Sequence, residues 1–265
     1  MPTQTAVTLF LNQHFGAFTT SFLQSLHVQP KYPAYPITDA FAMELLVFLV
    51  LIAYFIVVRM TLSVEKPAAA QHLAEITNEF VTEQGSQIIG HGSERFTSYL
   101  TALGLFILLA NLIGVIPGFK SPTAYAVVPL GFAIVTFIYY HYHGIRENGW
   151  AYVKQFLGPV WWLYPLLLPI EIISHLARIL SLTVRLYANI FSSDLIYVLF
   201  LGLLADAFTT VWTKSAVAGA VVAIFPALVP LIFIALHILV AFVQALIFTV
   251  LPASYLGMAT ASDEH

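Results

Sequence analysis

Two apolar runs, each more than forty residues long, constrain this chain more than anything else in it. Trp161 to Leu204 and Ala216 to Ala259 would each extend about 65 Å as one α-helix at about 1.5 Å per residue. That is roughly twice the hydrocarbon core of a bilayer, about 30 Å. The second run contains no Asp, Glu, Lys or Arg. Each is therefore either two spans joined by a buried turn or a single helix lying strongly tilted in the membrane. No turn-forming cluster interrupts Glu171 to Leu201, which favours the tilted helix. Ala205 to Ser215, containing Asp206 and Lys214, then links the two runs as a hairpin.

The remaining apolar segments are of ordinary length. A first span is expected from Phe41 to Arg59, a second from Phe96 to Ile116 and a third from Tyr125 to Tyr142. The turn-rich loop Pro117 to Thr123 separates the second and third. Between the first and second lies a polar stretch, Glu65 to Arg95, with acids at Glu75, Glu79 and Glu83. Its apolar residues Leu73, Ile76, Phe80 and Ile88 are loosely spaced for one helix face, so it reads as an interfacial or cytoplasmic segment. The fold class is an all-α polytopic membrane protein, with about three conventional spans plus two long, strongly tilted helices forming a hairpin. Only 9% of residues are charged, against about 25% in soluble domains.

Several classes are excluded. The chain has no cysteine, so disulfides, thiolate metal sites and Cys nucleophiles are ruled out. A net charge of −3 without a basic patch gives no reason to expect nucleic acid. The first thirty residues lack the marks of a signal or transit peptide, which leaves the first span as insertion signal. No Walker-type phosphate loop is present. Basic residues set orientation. Arg59, Lys66, Arg95, Arg146 and Lys154 fall on one side and Lys31, Lys120 and Lys214 on the other, which favours an external N-terminus and a cytoplasmic C-terminus.

Arg185 lies deep in the first long run. A guanidinium stays protonated and cannot escape a low-dielectric site by losing its charge. At membrane depth that charge costs from about 2.5 to over 10 kcal/mol, so such a residue normally faces water, a carboxylate or an ion path. Glu171, His175, Arg178, Leu182, Arg185 and Asn189 follow one another at steps of 4, 3, 4, 3 and 4. Residues at that spacing share a helix face. In the second long run His237 and Gln244, seven apart, also share a face. Asp194, nine after Arg185, lies off the stripe. Carboxylates, imidazoles and amides in rows suit proton passage, and a fixed Arg between two such rows repels a travelling proton while favouring an ionised carboxylate beside it.

On this reading the chain divides into an outer-side segment (1–37), a first span (38–62) and a polar interfacial or cytoplasmic segment (63–94). The second and third spans (95–145), a cytoplasmic loop (146–160), the tilted hairpin carrying the proton path (161–259) and a tail (260–265) follow.

The same residues resemble a family. Arg185-Leu186-Tyr187-Ala188-Asn189 with Asp194-Leu195-Ile196 resembles the Arg-containing helix of subunit a of F-type ATP synthases. His237-Ile238-Leu239 with Gln244-Ala245-Leu246-Ile247-Phe248 resembles that family's last helix, and Asn111 to Pro117 its second span. The short acidic end Ala261 to His265 is like that of bacterial members. The resemblance covers most of the chain and is strongest from Glu171 to Ser254. It implies a non-catalytic stator subunit in a bacterial inner membrane, surrounded by lipid, against a ring of c subunits and beside b-type peripheral stalk subunits and the rest of the synthase. No cofactor is implied. Arg185 would face the ring carboxylate and separate two half-channels. Asn189, Asp194, His237 and Gln244 would line the outer one, Glu171 and Ser174 the inner. Asp194 stands where many bacterial members carry Glu. Asp39 or Glu44 would add an acid near the outer entrance.

Plainer readings stand beside these. Arg185 could pair with a carboxylate inside the bundle. Arg178 could snorkel to the surface, and His175 could bond a backbone carbonyl. Glu171 could be a helix-end acid near Pro169. His141 and His143, among Tyr139, Tyr140 and Tyr142, read as an interfacial aromatic belt. His175 with His237 could ligate a haem, though nothing else supports that. A self-contained ion-coupled secondary transporter is the alternative function, but such proteins often show an internal repeat and this chain has none.

Overall fold

Backbone surrounded by lipid must satisfy its own hydrogen bonds, and these apolar runs do so as α-helices. The computed structural model describes residues 4–30, 32–116, 118–150, 152, 161–213 and 216–260. Among them are α1 (Ala6–Ser25), α2 (Asp39–Met60), α3 (Ala69–Ile89), α4 (Glu94–Leu112), α5 (Val127–Asn148), α6 (Tyr164–Trp212) and α7 (Ala216–Thr260), and no strand. Short 3-10 turns cover Ile113–Val115, Pro122–Ala124 and Trp161–Leu163. Pro117, three of the orienting lysines (Lys31, Lys154 and Lys214) and the tail Ala261 to His265 lie outside the described residues.

The two long runs are unbroken helices of 49 and 45 residues. Neither contains the buried turn that two spans would need. Pro165 falls in the first turn of α6, where its missing N–H has no helical partner. Pro169 comes one turn later and is carried within the helix. Among the described residues, four stretches are long and apolar enough to cross a bilayer: Asp39–Met60, Glu94–Val115, Tyr164–Thr210 and Leu231–Thr260. α5 is not among them although it is a 22-residue helix covering the third expected span. Its second half carries His141, His143, Arg146 and Glu147, which dilute its apolar character.

The chain forms two compact units. One is Met1–Glu44, Ala110–Tyr125 and Leu186–Val243; the other is Leu45–Leu109, Ala126–Arg185 and Gln244–His265. In the first, α1 buries a polar stripe of Thr5, Thr8, Asn12 and Gly16. Asn12 Nδ2 donates to the Ile37 carbonyl at 3.0 Å and Asn12 Oδ1 accepts from the Ile37 N–H at 3.0 Å. α6 and α7 run antiparallel here, with Phe200 stacked on Phe233 at 5.4 Å.

In the second unit Phe96, Leu100, Tyr140, Ala253 and Leu256 form the centre of an apolar core. The polar stretch after α2 is the helix α3, tied down at its start where Tyr54 Oη donates to the Ala70 carbonyl at 3.0 Å. Gln71 bridges both backbone groups of Ser63, accepting from its N–H at 2.9 Å and donating to its carbonyl at 3.0 Å. Leu73, Ile76 and Phe80 stay exposed. At its far end α3 passes so close to α7 that a Cβ on Gly257 would meet the Ile88 carbonyl oxygen at 3.0 Å.

That approach predicts a contrast between two helical glycines. Gly257→Val should destabilise the second unit by about 1–3 kcal/mol through overpacking against backbone. Gly131→Val, where a Cβ would meet nothing within 4 Å, should be tolerated. Thermal inactivation of the detergent-solubilised complex, with protease sensitivity of α3, distinguishes them.

Candidate functional site

Two clusters gather titratable residues of α6 and α7, and Arg185, Asn189 and Gln244 belong to neither. The first cluster lies in the first unit. Nine residues at 3.6 per turn put Asp194 half a turn around α6 from Arg185. It meets α7 there: Asp194 Oδ1 lies 4.0 Å from His237 Nδ1. The other nitrogen of that ring, Nε2, is 3.2 Å from the backbone carbonyl of Asn111. A carbonyl only accepts, so Nε2 carries a proton and Nδ1 faces the carboxylate.

The end of α4 that presents the Asn111 carbonyl is tied to the loop that follows it through the Ala110 carbonyl and the Asn111 side chain. Ser121 Oγ donates to the Ala110 carbonyl at 2.8 Å and meets Thr123 Oγ1 at 2.6 Å; Thr123 Oγ1 donates to Asn111 Oδ1 at 2.5 Å. All three side chains are buried. The loop can close this tightly because Gly114 has no side chain. A Cβ there would come within 2.9 Å of Ser121 Cβ. Beside this network is a cavity of about 310 Å³ lined by Gly114, Gly118, Lys120, Asp194, Tyr197 and His237, among others.

Lys120 connects the cavity to the start of α2. Its Nζ donates to Asp39 Oδ2 at 2.8 Å, while Asp39 Oδ1 accepts from the Thr5 N–H at 3.1 Å. Burial works most strongly against the Lys120 ammonium, but the bond to Asp39, the charge of that carboxylate and the nearby Tyr125 together raise the pKa above the usual lysine value. The stability this pair gives is present between the ordinary titrations of the two groups and is lost at low pH as Asp39, whose pKa is lowered, takes up a proton. At high pH it is lost as pH rises through the raised lysine value, so the pair persists at neutral pH. Asp39 is thus committed to anchoring the loop and α1. Glu44 is half-buried on α2, and no hydrogen bond is seen for it among the described residues.

The second cluster lies in the second unit. Glu171 Oε1 is 3.2 Å from His175 Nε2, and His175 Nδ1 is 2.9 Å from the hydroxyl of Tyr140. Its neighbours thus include a carboxylate and a phenol. Arg178 stands over the Tyr255 ring at 5.1 Å, facing inward with the cluster. Tyr140, Tyr152, Glu171, His175, Arg178 and Tyr255 line a smaller cavity of about 130 Å³. Ser174 is half-buried near the same level of α6. Burial pushes the Tyr152 phenol up to about 12, so it remains a neutral donor next to His141, whose Nδ1 is 2.5 Å away.

The aromatic-belt reading of this region needs correcting. Tyr140 is 3% exposed and bonds His175, and His141 bonds Tyr152. Only Tyr142 is largely exposed, as a belt residue would be. Helical geometry explains the mixture, since consecutive residues point about 100° apart. Sequence reasoning also missed Asn111, Ser121, Thr123 and Lys120 as supports for His237. The loop Pro117 to Thr123 was visible, but nothing in it marked a hydroxyl chain.

Arg185 stands apart from both clusters. It is exposed, as is Asn189 one turn on, whereas Leu182, Leu186 and Ile190 on the adjoining face are buried. Its Nη2 donates to Ser181 Oγ at 3.4 Å, and it forms no ion pair among the described residues. The carboxylate partner of the structural reading is not found there. Only 6% of the most apolar part of α6 is buried. Gln244 is 1% exposed on α7, with its Oε1 lacking a hydrogen-bond partner.

Residues 41–257 match the family model described as ATP synthase A chain. The chain is 48% identical over 262 residues to an ATP synthase subunit a from Koribacter versatilis, covering 98% of each. It is 37% identical over 253 residues to that of Solibacter usitatus, covering 95% of this chain and 99% of the relative. A third, from Sulfurimonas denitrificans, is 39% identical over 201 residues, 75% of this chain and 80% of the relative.

The hydroxyl chain beneath His237 gives the prediction here. Thr123→Val keeps the shape but strands Asn111 Oδ1, a loss of about 1–3 kcal/mol. Thermal inactivation of the solubilised complex should come at lower temperature, with Thr61→Val, an exposed hydroxyl bonded within its own helix, as the neutral comparison.

Proposed function

The chain belongs to the ATP synthase A chain family and is a membrane subunit of an ATP synthase, and from that premise we propose that it is the non-catalytic stator whose Arg185 faces the carboxylate of a rotating c ring. The observation that carries the reading is the exposed guanidinium, without an ion pair among the described residues, on a helix long and apolar enough to cross the membrane. Such a charge is not neutralised by deprotonation. Its counter-charge comes from outside the chain, and a ring carboxylate passing along the open side of α6 supplies it. A carboxylate within about 4–6 Å of Arg185 is held ionised. It must therefore have released its proton before reaching the arginine and take up another after leaving.

Two half-channels serve those steps. The outer one is lined by Asn189, Asp194, His237 and Gln244, and the Lys120-edged cavity beside Asp194 gives it room for water. Asp194 and His237 are 4.0 Å apart, too far for a direct hydrogen bond and a suitable gap for a bridging water. The inner half-channel is lined by Glu171 and Ser174, with His175 and Arg178 beside them. Arg185 lies between the two along α6, so a proton crosses only by riding the ring. Each crossing yields about 2.3 kcal/mol per 100 mV, delivered as rotation to catalytic sites elsewhere in the complex. α6 and α7, at 49 and 45 residues, fit a bilayer core of about 30 Å by lying strongly tilted as a hairpin. The N-terminus is then outside and the C-terminus cytoplasmic in a bacterial inner membrane, with b-type stalk subunits as further partners.

ATP-driven acidification of inverted vesicles carrying Arg185→Ala tests this. Pumping should fall to background with ring and stator still assembled, and passive proton leak should rise once the soluble catalytic part is removed. Pumping at the unsubstituted level would overturn the reading and favour a self-contained transporter.

A further inference from the structure

α1 is amphipathic in an inverted sense. Its buried stripe is polar and small: Thr5 ahead of the helix, then Thr8, Asn12 and Gly16. Its apolar side chains point elsewhere. Val7, Leu11, Phe15, Phe18 and Phe22 follow at steps of 4, 4, 3 and 4 and so share one face. Phe15, Phe18 and Phe22 are 52%, 73% and 55% exposed. At about 100° per residue, the sector between this face and the buried stripe is mixed, holding Gln13, Ser21 and Gln24 together with Ala6, Phe10 and Ala17. The helix has no Asp, Glu, Lys or Arg.

Its location is set by the buried stripe. Asn12 is bonded both ways to Ile37, and Thr5 donates to Asp39, the first residue of α2. These bonds hold α1 at the mouth of the first membrane-crossing helix, where exposed Phe41 already faces outward within the same unit. An aromatic face placed at the level where a span enters the bilayer meets lipid. A helix with one polar and one apolar sector lies in the interface plane, its apolar side chains about 5–10 Å deep. With no charge on it, adhesion comes from apolar burial and not from attraction to anionic headgroups.

We propose that α1 lies flat in the membrane interface, its Val7–Leu11–Phe15–Phe18–Phe22 face set among lipid acyl chains, fixed at that depth by its bonds to Ile37 and Asp39. The surface is a lipid-binding anchor flanking the first span.

The absence of cysteine from this chain permits single nitroxide labels. Phe15→Cys, Phe18→Cys, Phe22→Cys, Gln13→Cys and Gln24→Cys variants of the full complex, each shown to retain ATP-driven pumping, are reconstituted into phosphatidylcholine vesicles. The label's collision rates with oxygen, which partitions into lipid, and with a water-soluble nickel chelate are then measured. Labels at 15, 18 and 22 should favour oxygen by several-fold over those at 13 and 24. Adding phosphatidylglycerol should leave that ratio unchanged. Equal nickel accessibility at all five positions would overturn the proposal, because the face would be in water. Labels at 15, 18 and 22 shielded from both reagents would overturn it in favour of a protein partner on that face. A ratio that rises with phosphatidylglycerol would overturn the apolar basis of the anchoring.

Discussion

A charge that cannot be neutralised sets the terms for the rest of this structure. Glu, Asp and His can shed their charge when solvent is removed, whereas Arg185 cannot. The chain could have enclosed it with a carboxylate of its own, which would have offset the desolvation cost. Instead α6 buries Leu182, Leu186 and Ile190 and leaves Arg185 and Asn189 on the open flank. Titratable groups are grouped elsewhere, Asp194 half a turn away and Glu171 four turns back. Among the described residues no carboxylate pairs with Arg185, and its guanidinium stays on the open flank of α6.

The two clusters use histidine in different ways, and the difference follows from partner chemistry. His237 gives one nitrogen to a backbone carbonyl, which fixes its tautomer and leaves Nδ1 toward a carboxylate 4.0 Å away. The residues around that carbonyl are tied to the following loop by buried hydroxyls bonded to the Ala110 carbonyl and to Asn111 Oδ1, so the partner of the ring is positioned by a loop and not by the helix that bears the ring. His175 sits between a carboxylate and a phenol, both within hydrogen-bond reach. A carboxylate only accepts, so Nε2 donates to Glu171 and Nδ1 accepts from the Tyr140 hydroxyl. One imidazole leans on a backbone carbonyl, the other on two side chains.

The sequence disclosed the parts of this architecture that repeat along a helix. The 4-3-4-3-4 spacing placed Glu171, His175, Arg178, Arg185 and Asn189 on one side of α6, and run length alone marked α6 and α7 as exceptional. It could not disclose which portion of that stripe turns inward, because a helix 49 residues long passes from one set of neighbours to another. His175 is buried while Arg185 on the same stripe is exposed. Contacts between distant segments were equally illegible. Asn111 meets His237 across 126 residues and Lys120 meets Asp39 across 81, and no local pattern encodes either pair. The Tyr139 to His143 run misled because composition suggested a belt, whereas direction around α5 decides which rings face inward.

α1 went unread for a related reason. Patterning arguments assume that water is outside and that the apolar face is the buried one. Where the surroundings include lipid, that assumption loses its force, since apolar side chains gain nothing by turning inward from an already apolar medium. What must be covered is polarity: Asn12 and Thr5 find backbone and carboxylate partners against Ile37 and Asp39, and the phenylalanines are left facing out. α6 shares this only in part: 6% of its most apolar stretch is buried, yet Leu182, Leu186 and Ile190 pack inward beside His175 and Thr183. In α1 it is the polar residues that specify packing within the chain, and the apolar ones that face the medium around it.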